Sequence, residues 1–409
     1  MAQVKVIKCL QFRIYPDAAQ QVLIWKTFGC CRWMWNHLLD ERIKSNKVLD
    51  GVKFKNTTPA HFKKIPENSF LKEVDALALA NEQLNVNRAC SKCFAKGKTP
   101  KFRAKRNERR SYTTNAVNNN IELIHIRDTE NYLKLPKLRL VKIIRHRNIP
   151  DGAVLKHVTV KETASGKFFA ALTYEVMQEE VQPVTEFKDV ESFDYNMRDL
   201  VVSASGRYDI QAEDIHWYRK MEQKLAKEER RLSHMEYGSN HYRKQKHRVG
   251  AIHEKIANRR NDFLHNLSRD VADEFDAVAV EDINLHGMAQ ALNFGKSIHD
   301  NGFGRFRGFL AYKLKAQGKA LVKVSWNFPS TQRCSVCHHI NSKVKDLSVR
   351  EWVCPSCGAL HNRDKNACAN LKQEAINYLN RWANGDSTLI LTPEGVLSVK
   401  KPHLLKGGE

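Results

Sequence analysis

Two Cys-x-x-Cys pairs lie close together towards the end of this chain of 409 residues. Cys334 pairs with Cys337 and, after sixteen intervening residues, Cys354 with Cys357, in the local text TQRCSVCHHI and WVCPSCGALH. Each pair forms a knuckle that turns two thiolates towards one point, and two knuckles complete the tetrahedral sulfur shell typical of a structural Zn2+. Residues 331–360 are therefore expected to fold as a zinc ribbon. Gly358, directly after the second pair, suits the tight backbone of such a knuckle, whereas His338 holds the equivalent place after the first. His338 and His361 are either further ligands or, on the reading preferred, residues at the surface or beside the site. Cys90-x-x-Cys93 has no second pair and lies in helical text, so its spacing is read as an i, i+3 coincidence. Cys9, Cys30, Cys31 and Cys368 read as small core residues.

The ten cysteines are unevenly spaced and no secretory apolar block accompanies them, which argues against a disulfide framework. The N-terminal text MAQVKVIKCLQFRIYP alternates like a strand, and no apolar run approaches the roughly 18 residues of a membrane span. A soluble, intracellular protein is expected. With 42% apolar residues, most of the chain should fold, into two or three domains. The formal charge of +23 at pH 7 implies a polyanionic partner, since self-repulsion of that size opposes compaction unless phosphates accept it. Nucleic acid is favoured over an anionic membrane, because neither end carries a basic amphipathic helix with a Trp/Phe/Leu face.

The organisation follows from changes in period. A strand is expected over Val4–Ile14, then a buried helix pair over Ala18–Ser45 with Asp17 as its N-cap, and a further helix over Leu71–Ala95. The basic run Lys96–Arg110, with Phe102 interleaved, is read as a phosphate contact. Short alternating runs between 111 and 180 read as a small β-barrel or sheet to which the first strand returns, so the helices are an insertion. Residues 1–15 and 111–182 make that domain and 16–110 the helical module; Glu179–Glu186 is a linker. From Asp189 come a hairpin (ESFDYNMRDLVVSASGRYDI), a basic helical hairpin over His216–Glu274 that turns at Tyr237–Asn240, the strand DAVAVEDIN, a helix over Ile298–Gln317, the strand ALVKVSW, and a helix over Lys365–Leu379. The crowded basic face of the helical hairpin is read as a wall for nucleic acid. Residues 187–330 and 361–380 form an α/β domain, and 381–409 a loosely ordered tail.

Three acids stand where strands or loops meet helices in that domain: Asp194 in SFDYN, Glu281 in VAVEDIN and Asp364 in HNRDKNACANL. A carboxylate on an apolar strand is costly unless it meets a cation or another charge, and ligands of α/β sheets gather at the strands' C-terminal ends. Each acid taken alone could equally cap a helix, and spacing does not single these out among 45 acids. Their order, followed by the four-cysteine segment and then xRDxNAxxN, resembles the RuvC-like nucleases of the TnpB family, the RNA-guided nucleases of insertion sequences related to type V CRISPR effectors. FRIYPDAAQ, WNHLL, FLKEVDALAL, FRAKR, NNNIEL, LKLPKL, NRRNDFLHNLS and FPSTQRCSVC also look like family text, so the resemblance runs from roughly Phe12 to Leu379.

That resemblance implies an α+β multidomain architecture: an N-terminal, wedge-like β-barrel with an inserted helical recognition module, then a RuvC-like nuclease domain of RNase H type with an inserted zinc ribbon. It implies that Asp194, Glu281 and Asp364 are catalytic and hold two Mg2+ or Mn2+ ions, that Cys334, Cys337, Cys354 and Cys357 hold one Zn2+, and that guide RNA and target double-stranded DNA are the partners. The expected activity is RNA-guided endonuclease hydrolysis of guide-matched DNA after a short target-adjacent motif is read near Ala76–Gln83 and Thr113–Asn120. A monomeric ribonucleoprotein in a prokaryotic cytoplasm fits this picture. The chain departs from the family's usual G-x-D-x-G, having Ser192-Phe193-Asp194-Tyr195-Asn196, and has Asn362 where an Asp is common. Asn tolerates the positive φ of a turn glycine, while Tyr195 beside the metal site would alter substrate access. The competing readings are a nuclease-impaired RNA-guided DNA-binding regulator and a DNA transposase.

Overall fold

A computed structural model describes residues 3–47, 57–96, 99–105, 110–127, 130–195, 201–210, 216–284, 302–346 and 348–400. They divide into two units, one of residues 1–180 with 235–251 and one of residues 181–234 with 252–409. Among the described residues no helix is long and apolar enough to cross a membrane.

The first unit is built on strand β1 (Gln3–Tyr15), whose period-2 pattern lets it pair on both edges. It runs antiparallel to β7 (Phe168–Glu179) from Gln3↔Glu179 to Ile14↔Phe168, and its last residues pair with β5 (Arg139–Ile144). With β2 (Ser111–Asn115), β3 (Glu122–Arg127), β4 (Glu130–Leu135) and β6 (Val154–Glu162) this makes a seven-stranded sheet, order β2-β6-β7-β1-β5-β4-β3. Among the described residues the pairings leave β2 and β3 at the two ends of a sheet and include none that closes it into a barrel.

Between β1 and β2 lie α1 (Ala18–Lys47), α2 (Pro59–Phe62) and α3 (Ala76–Lys96), with a 3-10 stretch at Pro66–Lys72. Instead of the expected helix pair, α1 is one helix of 30 residues. Its start is a reciprocal cap: the Gln20 amide donates to Asp17 Oδ1 at 2.8 Å and the Asp17 amide to Gln20 Oε1 at 3.1 Å. Ile24, Phe28, Met34 and Leu38 of α1 share one core with Leu79 of α3 and with Phe12, Leu133 and Val158 of the sheet. Helices and sheet therefore stabilise one another through common apolar burial.

The second unit holds a six-stranded sheet, order β14-β15-β11-β10-β8-β9. Its strands are β8 (Val190–Asp194), β9 (Val202–Ser203), β10 (Ala277–Glu281), β11 (Ala320–Val324), β14 (Leu389–Leu391) and β15 (Val396–Val399). The four inner strands β8, β10, β11 and β15 are parallel, and β9 and β14 are antiparallel edges. Residues 389–399 thus correct the expectation of a loosely ordered tail. β15 extends the sheet, and Leu389 and Leu397 lie in its core; such short strands carry no periodic signal, and their order comes from pairing with β11.

The helices of this unit are α4 (His216–Ser233), α6 (Phe303–Ala316), α7 (Arg363–Ala383) and, from residue 252 onward, α5 (Asn240–Glu274), whose first part belongs to the other unit. Strand parity sorts the core. Val278, Val280, Phe193 and Leu321 pack with Leu264 and Val271 of α5 and Phe306 and Leu310 of α6. Val190, Ala277, Ala279 and Val322 pack with Leu371, Ala375 and Tyr378 of α7. The cysteine segment forms the hairpin β12 (Glu351–Val353) and β13 (Leu360–Asn362) around a small core of Cys334, Val344, Trp352 and Cys354.

Candidate active site and metal centre

Parallel pairing places Val280 of β10 beside Phe193 of β8, so the next residues, Glu281 and Asp194, end neighbouring strands at the same level. By parity Asp194 shares a face with Val190 and Ser192, and Glu281 with Ala277 and Ala279, which is the face covered by α7. Asp364 stands in the first turn of α7. That helix is capped by Asn362, whose side chain accepts from the amides of Asp364 and Lys365 at 3.1 and 3.2 Å. The structure therefore brings together all three acids singled out in the sequence.

Their proximity is visible in the acidity of Asp194. The Asp194 carboxyl, 8% exposed, is pushed up to about 8 by burial and then by the negative charges of Glu281 and Asp364. Burial also raises Glu281. Three gathered carboxylates are unfavourable when all are ionised, and a divalent cation is the natural relief. Among nearby cations, Arg350 reaches Asp364 at 3.6 Å, and Arg307 is turned to the Glu281 carbonyl at 3.3 Å. Asp194 is buried and Glu281 and Asp364 are half-buried, and hard carboxylate oxygens of this kind fit Mg2+ or Mn2+. Tyr195 packs its ring on Phe303 at 5.1 Å. Asn196 lies outside the described residues.

The second centre is sulfur-based. The thiols of Cys334, Cys337, Cys354 and Cys357 lie within 4.8 Å of one another, with Cys334 to Cys357 at 3.7 Å and Cys337 to Cys354 at 3.6 Å. The two knuckles repeat each other: His338 N donates to Cys334 O at 3.0 Å and Gly358 N to Cys354 O at 2.9 Å. His338 adopts φ +66, matching φ +74 at Gly358. The donor set fits tetrahedral Zn2+. Buried His361 sets Nε2 3.0 Å from Cys334 Sγ, beside the sulfur shell rather than within its set of four.

Residues given no role of their own in the sequence reading hold this unit together. Asn366 and Asn370 of α7 are buried and donate to the Arg333 carbonyl at 2.7 and 2.6 Å, fixing where the cysteine segment starts. Both are the asparagines of the xRDxNAxxN text, but their partner is distant in the chain and no local pattern announces it. In the first unit, Asn81, Asn85, Arg88, Thr113, Asn115 and His157 line one polar cavity. Arg103, read in the sequence as part of a phosphate-binding run, is instead committed to the fold. It pairs with buried Glu82 at 2.9 Å and covers the Trp35 ring at 3.8 Å. Residues 106–109 of that run lie outside the described residues. Cys9, read as a core residue, is exposed because it sits on the outward side of β1. Lys220, Lys224, Arg230, Arg231, Arg243, Lys244, Lys246, Arg248, Lys255 and Arg259 are exposed along α4 and α5.

Three family profiles match the chain. The OrfB profile of IS605, described as "Probable transposase", covers 172–292; "Cas12f1-like, TNB domain" covers 303–371; and a "Helix-turn-helix domain" covers 1–47, which here are β1 and the single helix α1. The chain is 29% identical over 378 residues to a Streptomyces pristinaespiralis protein described as "Putative RNA-guided DNA endonuclease", covering 91% of this chain and 89% of the relative. It is 26% identical over 388 residues to an Escherichia coli K12 protein described as "Putative RNA-guided DNA endonuclease InsQ", covering 90% and 92%. Its fold is similar to a chain of the cryo-EM structure of the Cas12f1-sgRNA-target DNA complex, with TM-score 0.57 at 10% identity over 90% of this chain and 99% of that one.

Proposed function

This chain belongs to the TnpB family, and from that premise we propose that it is an RNA-guided DNA endonuclease whose active site is formed by Asp194, Glu281 and Asp364. The observation that carries the site is that Asp194 and Glu281 end neighbouring strands on the face covered by α7, whose first turn holds Asp364, and that burial and then the charges of Glu281 and Asp364 raise Asp194. When bound, two Mg2+ or Mn2+ ions supply a metal-activated water and charge neutralisation at the leaving oxygen.

The chain's own part is to present ionised oxygens. Asp194 must give up its proton before it can serve as a ligand, so cation loading and proton release are linked. Asn362 holds Asp364 at the helix start, and rigid paired strands hold the other two. With phosphodiester hydrolysis assigned to water, no side-chain nucleophile is needed. The thiolate centre, suited to Zn2+, serves folding.

Guide pairing supplies sequence, and the protein reads shape, backbone and a short motif. The cavity lined by Asn81, Asn85, Arg88, Thr113 and Asn115 supports motif reading in the first unit, because amide and guanidinium groups suit base edges. The exposed basic residues of α4 and α5 suit phosphate contact. A monomeric ribonucleoprotein acting in the prokaryotic cytoplasm completes the reading.

The test is cleavage of guide-matched DNA in Mg2+ by wild type and Asp194→Ala. Cutting by wild type alone is expected. Equal cutting by both would remove Asp194 from the site, and target binding without scission even in Mn2+ would favour the regulator reading.

A further inference from the structure

Two sets of polar contacts tie the hairpin that carries Asp194 to the helix that carries Asp364. In the first, the Ser192 hydroxyl donates to the Cys368 carbonyl at 2.7 Å and Cys368 Sγ donates to the Val202 carbonyl at 3.2 Å, with both side chains in residues of 0% exposure. Ser192 lies on the same face of β8 as Asp194, and Cys368 about one turn along α7 from Asp364.

In the second, Lys365, next to Asp364, donates its ammonium to Asp209 Oδ2 and to the Ser203 carbonyl at 3.3 Å. Asp209 is itself anchored, its Oδ1 accepting from Ser203 N at 2.7 Å and Ser203 Oγ at 3.1 Å. Gly206, at φ +74, leaves room for the ammonium; a Cβ there would stand 2.9 Å from Lys365 Nζ.

We propose that Lys365 and Asp209, together with Ser192, are positioning residues that latch the β8–β9 hairpin to α7 and so set the separation of Asp194 and Asp364. The proposal rests on the carboxylate site above. β9 is a two-residue edge strand, and its few ladder bonds cannot alone hold the hairpin against α7. The latch supplies that restraint from side chains. Neither Lys365 nor Asp209 needs to touch substrate or metal to act in this way.

The experiment uses the full chain with its guide RNA and measures cleavage rate against free Mg2+, target binding and thermal melting. It compares wild type with Asp209→Asn, Lys365→Met, their double variant, Lys365→Arg and Asp194→Ala. The two single variants are expected to raise the Mg2+ needed for half-maximal cleavage by about tenfold, within the range for groups that orient metal ligands, while target affinity stays at the wild-type value. The double variant should lose no more than Asp209→Asn alone, because both changes open one latch. Lys365→Arg, which keeps the charge, should recover most of the loss. Should a single variant melt early, the arginine variant still decides: an Mg2+ requirement like that of Lys365→Met would overturn the proposal. Wild-type Mg2+ requirements in both singles, or additive losses in the double, would overturn it too while an inactive Asp194→Ala left the carboxylate site standing. Wild-type cutting by Asp194→Ala would instead bring down the site and the latch together.

Discussion

Asp194 holds its proton far more tightly in the folded chain than an ordinary carboxylate does, because burial and two neighbouring acids disfavour its charge. With a folded value of about 8 against an unfolded value of about 4, the folded state binds the extra proton between these limits. The stability this contributes is complete below about pH 4 and is lost as pH rises through 8. In the absence of divalent cations, the wild-type melting temperature should fall more steeply from pH 5.5 to 8.5 than that of Asp194→Asn. Mn2+ should flatten the wild-type curve alone; parallel curves for the two proteins would contradict this electrostatic account. At the cysteine knuckles, Gly358 and His338 share a left-handed backbone, at φ +74 and +66. Gly358→Ala should cost about 1 kcal/mol, the strain of placing a Cβ there, whereas His338→Gly should not destabilise. Thermal melts of the zinc-loaded protein check both. The sequence puts Gly358 and His338 at equivalent places and favours His338 as a surface or neighbouring residue over a ligand; the matching positive φ agrees with that equivalence.

Elements differ in how plainly they were written in the chain. The break within the basic helical stretch is legible, since the turn text at 237–240 separates two helical segments, and the structure ends α4 at Ser233 and restarts at Asn240. α1 was read as two helices from its mixed three and four spacing, although its glycine lies where nothing packs and does not break the helix. Because Asp17 caps this whole element reciprocally with Gln20, Asp17→Ala should cost about 1 kcal/mol, read from urea unfolding midpoints. β14 and β15, of three and four residues, were missed altogether. Leu397 of β15 is 0% exposed between the sheet and α7, so Leu397→Ala should destabilise the protein by about 2–5 kcal/mol. An unchanged unfolding midpoint would mean that β15 does not hold its place in solution.

The whole molecule carries +23, and exposed basic residues line α4 and α5, a distribution that suits phosphates even though some, such as Arg231 with Glu228 at 3.0 Å, also meet an acid. Bound guide RNA should therefore stabilise the protein most at low salt, where unscreened self-repulsion is greatest. The gap in melting temperature between the RNA-bound and RNA-free protein should narrow as ionic strength rises, and equal stability and solubility at low salt would overturn this account of the charge. Much of the protein could be read from its amino acids alone. The cysteine spacing, charge excess, alternating runs and motif text are local properties, and each acts over a few residues or over the sum of them all. Which acids among the 45 meet is a different kind of fact. Asp194, Glu281 and Asp364 come from distant stretches, and only the parallel register of β8 and β10 and the start of α7 bring their carboxylates to one face. The same holds for Lys365 with Asp209 and for β15 beside β11, because non-local pairing leaves no period in a sequence and is decided by packing.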